Sequence, residues 1–236
     1  MRHGEAMTES AQAAQLLADP LRRALYDAVA AHDDPVTREM AASAAGVSAN
    51  LAGYHLDQLE QAGLLVTTFA RPGGRSGPGA GRPAKHYQRS GVEVRLQVPA
   101  RDDSFLASLL ATAIENDDTG TTRRSLLAAA SVAGRQLGQE AAAARRDLLA
   151  ALFDRGYEPR EEPDGTLVLR NCPFHHLMPA HLELVCGMNL ALLGAVAEGA
   201  AAGAADGAAG EGAVGYTAHL EPQAGRCCVT LRPSAP

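Results

Sequence analysis

The cysteines of this 236-residue chain all lie in its last third, at Cys172, Cys186, Cys227 and Cys228. Three histidines fall between the first two cysteines, at His175, His176 and His181. Thiolates and imidazoles are the ligands of soft metal ions, and thiolates hold iron–sulfur clusters. The alternative is four reduced cysteines packed as small hydrophobic side chains. The nearby histidines favour a metal or cluster site.

The composition predicts a cytoplasmic protein of two modest domains. Hydrophobic residues make up 46% of the chain and the formal net charge is −6. We expect no membrane-spanning segment, and the first residues do not lead into a signal-peptide core. Cytoplasmic cysteines stay reduced, so they are expected to act as ligands or redox sensors rather than to form disulfides.

The acidic net charge hides a basic stretch. Residues 64–89 contain no acidic residue, but they contain Arg71, Arg75, Arg82, Lys85 and Arg89. A local basic surface on an acidic protein still attracts nucleic acid.

The first ninety residues carry helix start and stop signals. Asp19 is a good N-cap and Pro20 suits the first turn of the helix that follows it. Thr37 and Ser48 can cap two further helices, and Gly63 can end the last of them near residue 62. An apolar strand is predicted at 64–69, a Gly/Pro/Arg loop at 71–84 and a second strand at 85–89. Helix, helix, turn, helix, strand, loop, strand is the order of a winged helix-turn-helix domain.

The rest of the chain predicts helices first and then a mixed region. Apolar periodicity indicates helices at 104–116 and 123–153, which are the best candidates for dimerisation. Strands are expected at 166–170, 216–220 and 227–231, with a helix at 180–199 and an Ala/Gly-rich loop at 199–212. The predicted fold class is therefore α+β. Its parts are a flexible N-terminus (1–15), the winged domain (16–92), a helical dimerisation segment (93–155) and a small α/β sensor domain (156–236).

The N-terminal part resembles winged-helix repressors of the arsenic-repressor type. The resemblance covers about residues 16–90 and rests on the segments 17–23 (LADPLRR), 45–48 (AGVS), 54–65 (YHLDQLEQAGLL) and 81–87 (GRPAKHY). In such proteins the helix after the turn enters the major groove of double-stranded DNA. This implies DNA contacts by Ser48, Asn50, Tyr54, His55, Arg75, Arg82 and Lys85.

These residues suit different contacts. Asn50 could pair with an adenine edge, while Tyr54 or His55 could reach bases or phosphates. The arginines could contact phosphates or the minor groove. Core packing of Tyr54 and simple solvent exposure of His55 are the alternatives.

The C-terminal part resembles the sensor half of the SUF-operon repressors, winged-helix regulators that carry a [4Fe–4S] cluster. The matching residues are Cys172, Cys186 and a late cysteine before a C-terminal strand. The resemblance implies Cys227 as the late ligand, with Cys228 as a near-equal rival. The cysteine pair and the Ala/Gly insertion depart from the family pattern, and the fourth ligand stays open among Cys228, His175, His181, His219 and an exogenous group.

The two resemblances together imply a dimeric repressor that binds an operator in a cluster-dependent way. It would sense cluster status, redox state or nitric oxide, and it would not be an enzyme. A zinc-binding metalloregulator is the nearest alternative, since cysteine and histidine suit tetrahedral zinc. A metal-dependent enzyme is the alternative of another class.

Overall fold

The computed structural model describes residues 3–70, 83–94, 102–203, 215–223 and 225–234. Its contacts divide the chain into two units, Met1–Arg101 and Asp102–Pro236. The second unit contains the predicted sensor domain (156–236) and residues 102–155 of the predicted dimerisation segment.

The first unit is built on four helices: α1 (His3–Leu17), α2 (Pro20–Ala30), α3 (Arg38–Ala45) and α4 (Ala49–Gln61). The predicted caps are confirmed, because Asp19, Thr37 and Ser48 each accept a hydrogen bond from a backbone N–H in the first turn. Helix α1 covers most of residues 1–15, for which the sequence predicted a flexible N-terminus. Ala13 is buried and Leu16 packs against the same core, so burial of apolar surface holds the helix in place.

A small antiparallel sheet completes this unit. Its strands are β1 (Val36–Thr37), β2 (Leu65–Ala70) and β3 (Ala84–Arg89), in the order β1-β3-β2. The two-residue β1 was not predicted, because it is too short to show a pattern of its own. Leu25, Leu56, Leu59 and Leu65 are fully buried between the helices and the sheet.

The second unit packs helices on a four-stranded sheet. The helices are α5 (Asp103–Glu115), α6 (Thr121–Ala143), α7 (Leu148–Asp154) and α8 (Met178–Gly203), with a 3₁₀ turn at His175–Leu177. The antiparallel sheet has the order β4-β5-β7-β6, with strands β4 (Pro159–Glu161), β5 (Leu167–Leu169), β6 (Tyr216–Leu220) and β7 (Val229–Pro233).

Three boundaries differ from the sequence prediction. The helix predicted at 123–153 is divided into α6 and α7, and Arg145 in the break has a φ of 53°. Helix α8 extends to Gly203, because alanine sustains a helix where an Ala/Gly loop was predicted. Strand β7 begins at Val229, so Cys227 and Cys228 lie in the bend before it.

Helices α6 and α8 approach each other backbone to backbone. A Cβ atom added at Gly134 of α6 would overlap the carbonyl oxygen of Leu192 in α8. One added at Gly138 would overlap the carbonyl oxygen of Val196. The glycines of α6 are therefore required by the close approach of two helix backbones.

Gly138→Ala should destabilise the second unit by about 1–3 kcal/mol or more, because the added methyl group meets a backbone atom that cannot move away alone. Urea unfolding followed by circular dichroism measures this. Gly194→Ala in α8 is the matched control: its new Cβ would lie 3.6 Å from the Cβ of Ala218, an ordinary contact. The control should be neutral or stabilising by about 0.5–1 kcal/mol, since it removes a glycine from a helix interior. Equal effects of the two substitutions would contradict the close packing.

One stretch, His175–Gly203, is long and apolar enough to cross a membrane by length and composition, contrary to the sequence prediction. Half of its apolar window is buried inside the fold. A buried core helix has the same composition, so this stretch gives no indication of a membrane.

Candidate DNA-reading surface and cysteine core

The turn between α3 and α4 positions the exposed start of α4. Gly46 ends α3 with a φ of 68°, a left-handed conformation that glycine adopts readily. The Val47 N–H bonds the carbonyl of Ala42, and the Ser48 hydroxyl accepts from the Leu51 N–H at 3.3 Å. Ser48, predicted to contact DNA, therefore also fixes the first turn of the helix.

The first two turns of α4 present side chains to solvent. Asn50 is exposed and the Tyr54 side chain is 61% exposed, which excludes core packing of Tyr54 within this unit. The Tyr54 hydroxyl accepts from Gln58 at 3.0 Å, and its ring meets the His55 ring edge-on at 5.2 Å. His55 is half-buried, and its Nδ1 has no hydrogen-bond partner among the described residues.

Lys85 is bound to α4 within the same unit. Its ammonium group lies 2.7 Å from an Asp57 carboxylate oxygen and 3.3 Å from one of Glu60. The Tyr87 hydroxyl also donates to Asp57, at 2.8 Å. Lys85 was predicted to contact DNA, but its charge is neutralised by two carboxylates, and it fastens β3 to α4.

The pKa values follow from this cluster. Burial alone would raise the pKa of Asp57, but the hydrogen bonds from Lys85 and Tyr87 outweigh it and lower the pKa. Burial would lower the pKa of Lys85, but its bonds to Asp57 and Glu60 raise it. Burial and the bond to Asp57 both raise the pKa of Tyr87.

Asp57→Asn should therefore lower stability near neutral pH, by up to about 1 kcal/mol because the pair is partly exposed. A lowered native pKa stabilises the fold above the unfolded value, and this contribution is lost as pH falls through the native value. The gap between wild type and Asp57→Asn should thus shrink as pH falls below about 4. Hydrogen exchange of residues 65–89 measures it. Asp27→Asn, which breaks the exposed Asp27–Arg23 pair, should have a smaller effect. A gap that does not change with pH would contradict the assignment.

Arg75 and Arg82 lie outside the described residues. The strand pair β2–β3 that would carry them is in place, with six paired positions from Leu65↔Arg89 to Ala70↔Ala84.

The second unit brings all four cysteines into one buried core. Cys172 follows β5, Cys186 lies in α8, and Cys227 and Cys228 precede β7; all four are at most 6% exposed. The Cys227 N–H bonds the carbonyl of Leu169 at 2.8 Å, and the Cys228 carbonyl accepts from the Glu221 N–H at 2.7 Å. Because the pair lies in a bend and not in a strand, its side chains do not alternate between two faces, and both are buried.

The four thiols lie in one buried cluster, in which Cys172 interacts with Cys227, Cys227 with Cys228 and Cys228 with Cys186. The interaction with Cys227 and then burial raise the pKa of Cys172. The interaction with Cys172 lowers the pKa of Cys227, but the interaction with Cys228 and burial outweigh it, so this pKa rises to about 11. Burial raises the pKa of Cys186.

One buried amide also contacts this core. Asn189 is fully buried; its Nδ2 donates to the Cys227 sulfur at 3.2 Å and its Oδ1 accepts from the Tyr157 hydroxyl at 2.6 Å. Burial, followed by the nearby Cys227, raises the pKa of Tyr157. The sequence reasoning missed both residues. Asn189 lies one helical turn after Cys186, and that spacing was the available signal.

The candidate histidines lie in different surroundings. His181 is buried, but its Nδ1 contacts Glu115 at 2.8 Å and its Nε2 contacts Ser108 at 3.0 Å. His175 is exposed in the 3₁₀ turn, and His219 is half-buried on β6 opposite Thr230. Among the candidates for the fourth ligand, Cys228 lies in the buried cluster that contains the other three cysteines.

The contacts of Ser108, His181 and Glu115 have the order of a hydrolase triad. Ser108, however, lies in the middle of α5, where the helix uses its own backbone N–H groups and leaves none to stabilise an oxyanion. His181 lies at a kink in α8, with φ −134° and ψ 41°. The contacts therefore fasten α5 to α8.

The chemistry of the cysteine core fits an iron–sulfur cluster. Four soft sulfur donors in an apolar surrounding form the ligand set that such clusters take. Among the described residues, no three His, Cys, Asp or Glu side chains are arranged to hold a single metal ion.

Comparison with known proteins gives one match. Residues 17–68 match the model of a family described as "Helix-turn-helix domain". No curated protein and no solved structure matches the chain. The match covers α2, α3, α4 and most of β2, the segment whose caps, turn and exposed face are described above. The chain therefore carries a helix-turn-helix domain, the kind of domain by which transcriptional regulators bind DNA.

Proposed function

We propose that this protein is a cytoplasmic transcriptional repressor whose operator affinity depends on a [4Fe–4S] cluster. Cys172, Cys186 and Cys227 would bind the cluster, with Cys228 as the fourth ligand. The observation that carries the proposal is the meeting of four thiols from distant parts of the sequence in one buried core, in a chain with a helix-turn-helix domain. The bound cluster would supply sensitivity to oxidants and nitric oxide, and these residues would supply its anchorage.

The position of Cys228 supports its choice as the fourth ligand. This cysteine is 2% exposed and lies in the same buried cluster as Cys172, Cys186 and Cys227. His181 has both ring nitrogens engaged with Ser108 and Glu115. An all-cysteine set is also the common ligand set of [4Fe–4S] clusters.

We infer that the protein acts as a homodimer through α5. Four large apolar side chains on one face of this helix are 52–61% exposed: Phe105, Leu106, Leu109 and Leu110. An apolar helix face of this kind is stabilised by burial against a partner. A second copy is the partner that a helix-turn-helix domain needs in order to read a two-fold operator.

The DNA contacts can be tested by two substitutions with different expected results. Asn50→Ala should cost about 1–3 kcal/mol at one base pair and relax specificity there, because Asn50 is exposed at the start of α4 and its amide suits an adenine edge. Arg82→Ala should weaken binding to every duplex and reduce the salt slope by about one unit, because it would remove a phosphate contact. Binding of a set of single-base operator variants at several salt concentrations measures both effects. Normal operator binding by both variants would show that the reading surface is placed wrongly.

Elemental analysis tests the cofactor most directly. Protein purified anaerobically under iron-replete conditions should be brown and should contain iron and acid-labile sulfide in equal amounts. Colourless protein with stoichiometric zinc would replace the cluster with a zinc site, which needs three or four ligands around one ion. Protein with neither metal would leave the cysteines as core residues.

A further inference from the structure

Asn189 is a polar side chain in a place where the surroundings favour an apolar one. It is fully buried, and its hydrogen-bond partners Tyr157 and Cys227 belong to a cluster that also contains the leucines of β5 and β7. Burying an amide costs free energy unless its donors and acceptor are hydrogen-bonded. Its oxygen is bonded to Tyr157, and its nitrogen is bonded to the sulfur of Cys227. The position of the side chain is thus defined by one hydroxyl and one sulfur.

A hydrogen bond to the sulfur of a neutral thiol would offset little of the free-energy cost of burying the amide. A thiol is a weak acceptor, and a leucine would fill the same volume without any desolvation cost. A negatively charged sulfur is a much better acceptor, since hydrogen bonds to charged groups are roughly twice as strong as those between neutral groups. A thiolate bound to iron carries that charge.

The hydroxyl of Tyr157 fixes which end of the amide faces the sulfur. Because the Tyr157 O–H donates to the amide oxygen at 2.6 Å, the N–H₂ end is directed at Cys227. Tyr157 is itself 2% exposed, so this orientation is held by buried packing and is not shared with water. The bond to the cysteine is therefore in place before any ligand binds.

We propose that Asn189, oriented by Tyr157, is a positioning residue that donates an N–H to the cluster-bound sulfur of Cys227 and raises the reduction potential of the cluster. The inference rests on the proposed cluster function. A hydrogen bond to a ligand sulfur favours the more negative, reduced state, and such bonds are among the determinants of cluster potential. This hydrogen bond also distinguishes the two adjacent cysteines, because its acceptor is the sulfur of Cys227.

The test is the midpoint potential of the reconstituted full-length protein. In Asn189→Leu the reduced-to-oxidised ratio at a fixed potential should fall on the order of tenfold, equivalent to about 59 mV for one electron. Tyr157→Phe should shift the potential in the same direction by less, because the amide stays but is no longer oriented. In the Asn189→Leu background, Tyr157→Phe should add nothing, since Tyr157 acts only through the amide. Val196→Ala, which trims the same core without removing a hydrogen bond, should lower stability and leave the potential unchanged.

The outcomes separate the two proposals. Wild-type protein that takes up no cluster overturns the proposed function and this inference together. Wild-type protein with a cluster, and Asn189→Leu or Tyr157→Phe at the wild-type potential, overturns the inference alone. If Asn189→Leu holds no cluster, the midpoint potential of Tyr157→Phe tests the inference: a lower potential than wild type supports it, and the wild-type potential overturns it. A shift in Val196→Ala equal to that in Asn189→Leu would show that Asn189 only fills the core.

Discussion

Cys172→Ser and Cys186→Ser proteins should contain no iron or sulfide, whereas wild-type protein prepared in the same way should contain a full cluster. Serine has the shape of cysteine but offers a hard oxygen in place of the soft thiolate that cluster iron requires. Both residues are buried in the cysteine core, where no other cysteine is available to replace them. Metal analysis and visible absorption after anaerobic purification measure the loss.

Histidine variants provide the control for this result. His175→Ala and His219→Ala should retain the cluster, because the first side chain is exposed and the second lies half-buried on β6. Cys228→Ser should reduce cluster content if Cys228 is the fourth ligand. Full cluster content in Cys228→Ser, together with its loss in one histidine variant, would move the fourth ligand to that histidine. Full content in Cys172→Ser would refute the site.

Removal of the cluster should change operator affinity by about five- to 150-fold, the usual range of coupling between two sites. A cluster that fixes the cysteine core would bias the geometry of the dimer and with it the spacing of the two recognition helices. Non-specific binding should change less, because phosphate contacts do not require both helices in register. Fluorescence anisotropy with operator and random duplexes, on holo protein and on Cys172→Ser, measures the difference.

Linkage supplies a second measurement of the same quantity. If the cluster changes operator affinity, operator DNA must change the equilibrium stability of the bound cluster by the same factor. The apo protein must first be shown to be folded and dimeric, by circular dichroism and light scattering. Equal operator affinity of holo protein and such an apo dimer would reduce the cysteine core to a structural role.

Local signals in the sequence were sufficient to predict the helix-turn-helix domain. Asp19, Thr37 and Ser48 cap helices as predicted, since capping depends on residues only a few positions apart. The meeting of the cysteines was expected from a family resemblance and is seen in the fold. The sequence did not identify which partner each thiol has, because those contacts join residues up to 55 positions apart.

Long-range contacts of the candidate residues were also not predictable from the sequence. Lys85 has the sequence context of a DNA-binding lysine, but its partners Asp57 and Glu60 lie about 25 positions earlier. Glu115 and Ser108 engage His181 across about 70 positions, so the histidine looked available as a ligand. Tyr54 has the spacing of a buried residue on α4, but the neighbouring elements leave its side of the helix uncovered.

Helix α8 connects the cysteine core to α5. Cys186 lies five residues, or about 7.5 Å of helix, beyond His181, which fastens α8 to α5. Only the short helical segment after the kink at His181 separates Cys186 from the contacts with α5, so we expect a displacement of Cys186 to be transmitted to α5. The helix that carries the exposed apolar face, α5, thus contacts α8 about five residues before Cys186. We expect changes in the cysteine core to appear first as altered hydrogen exchange in α5.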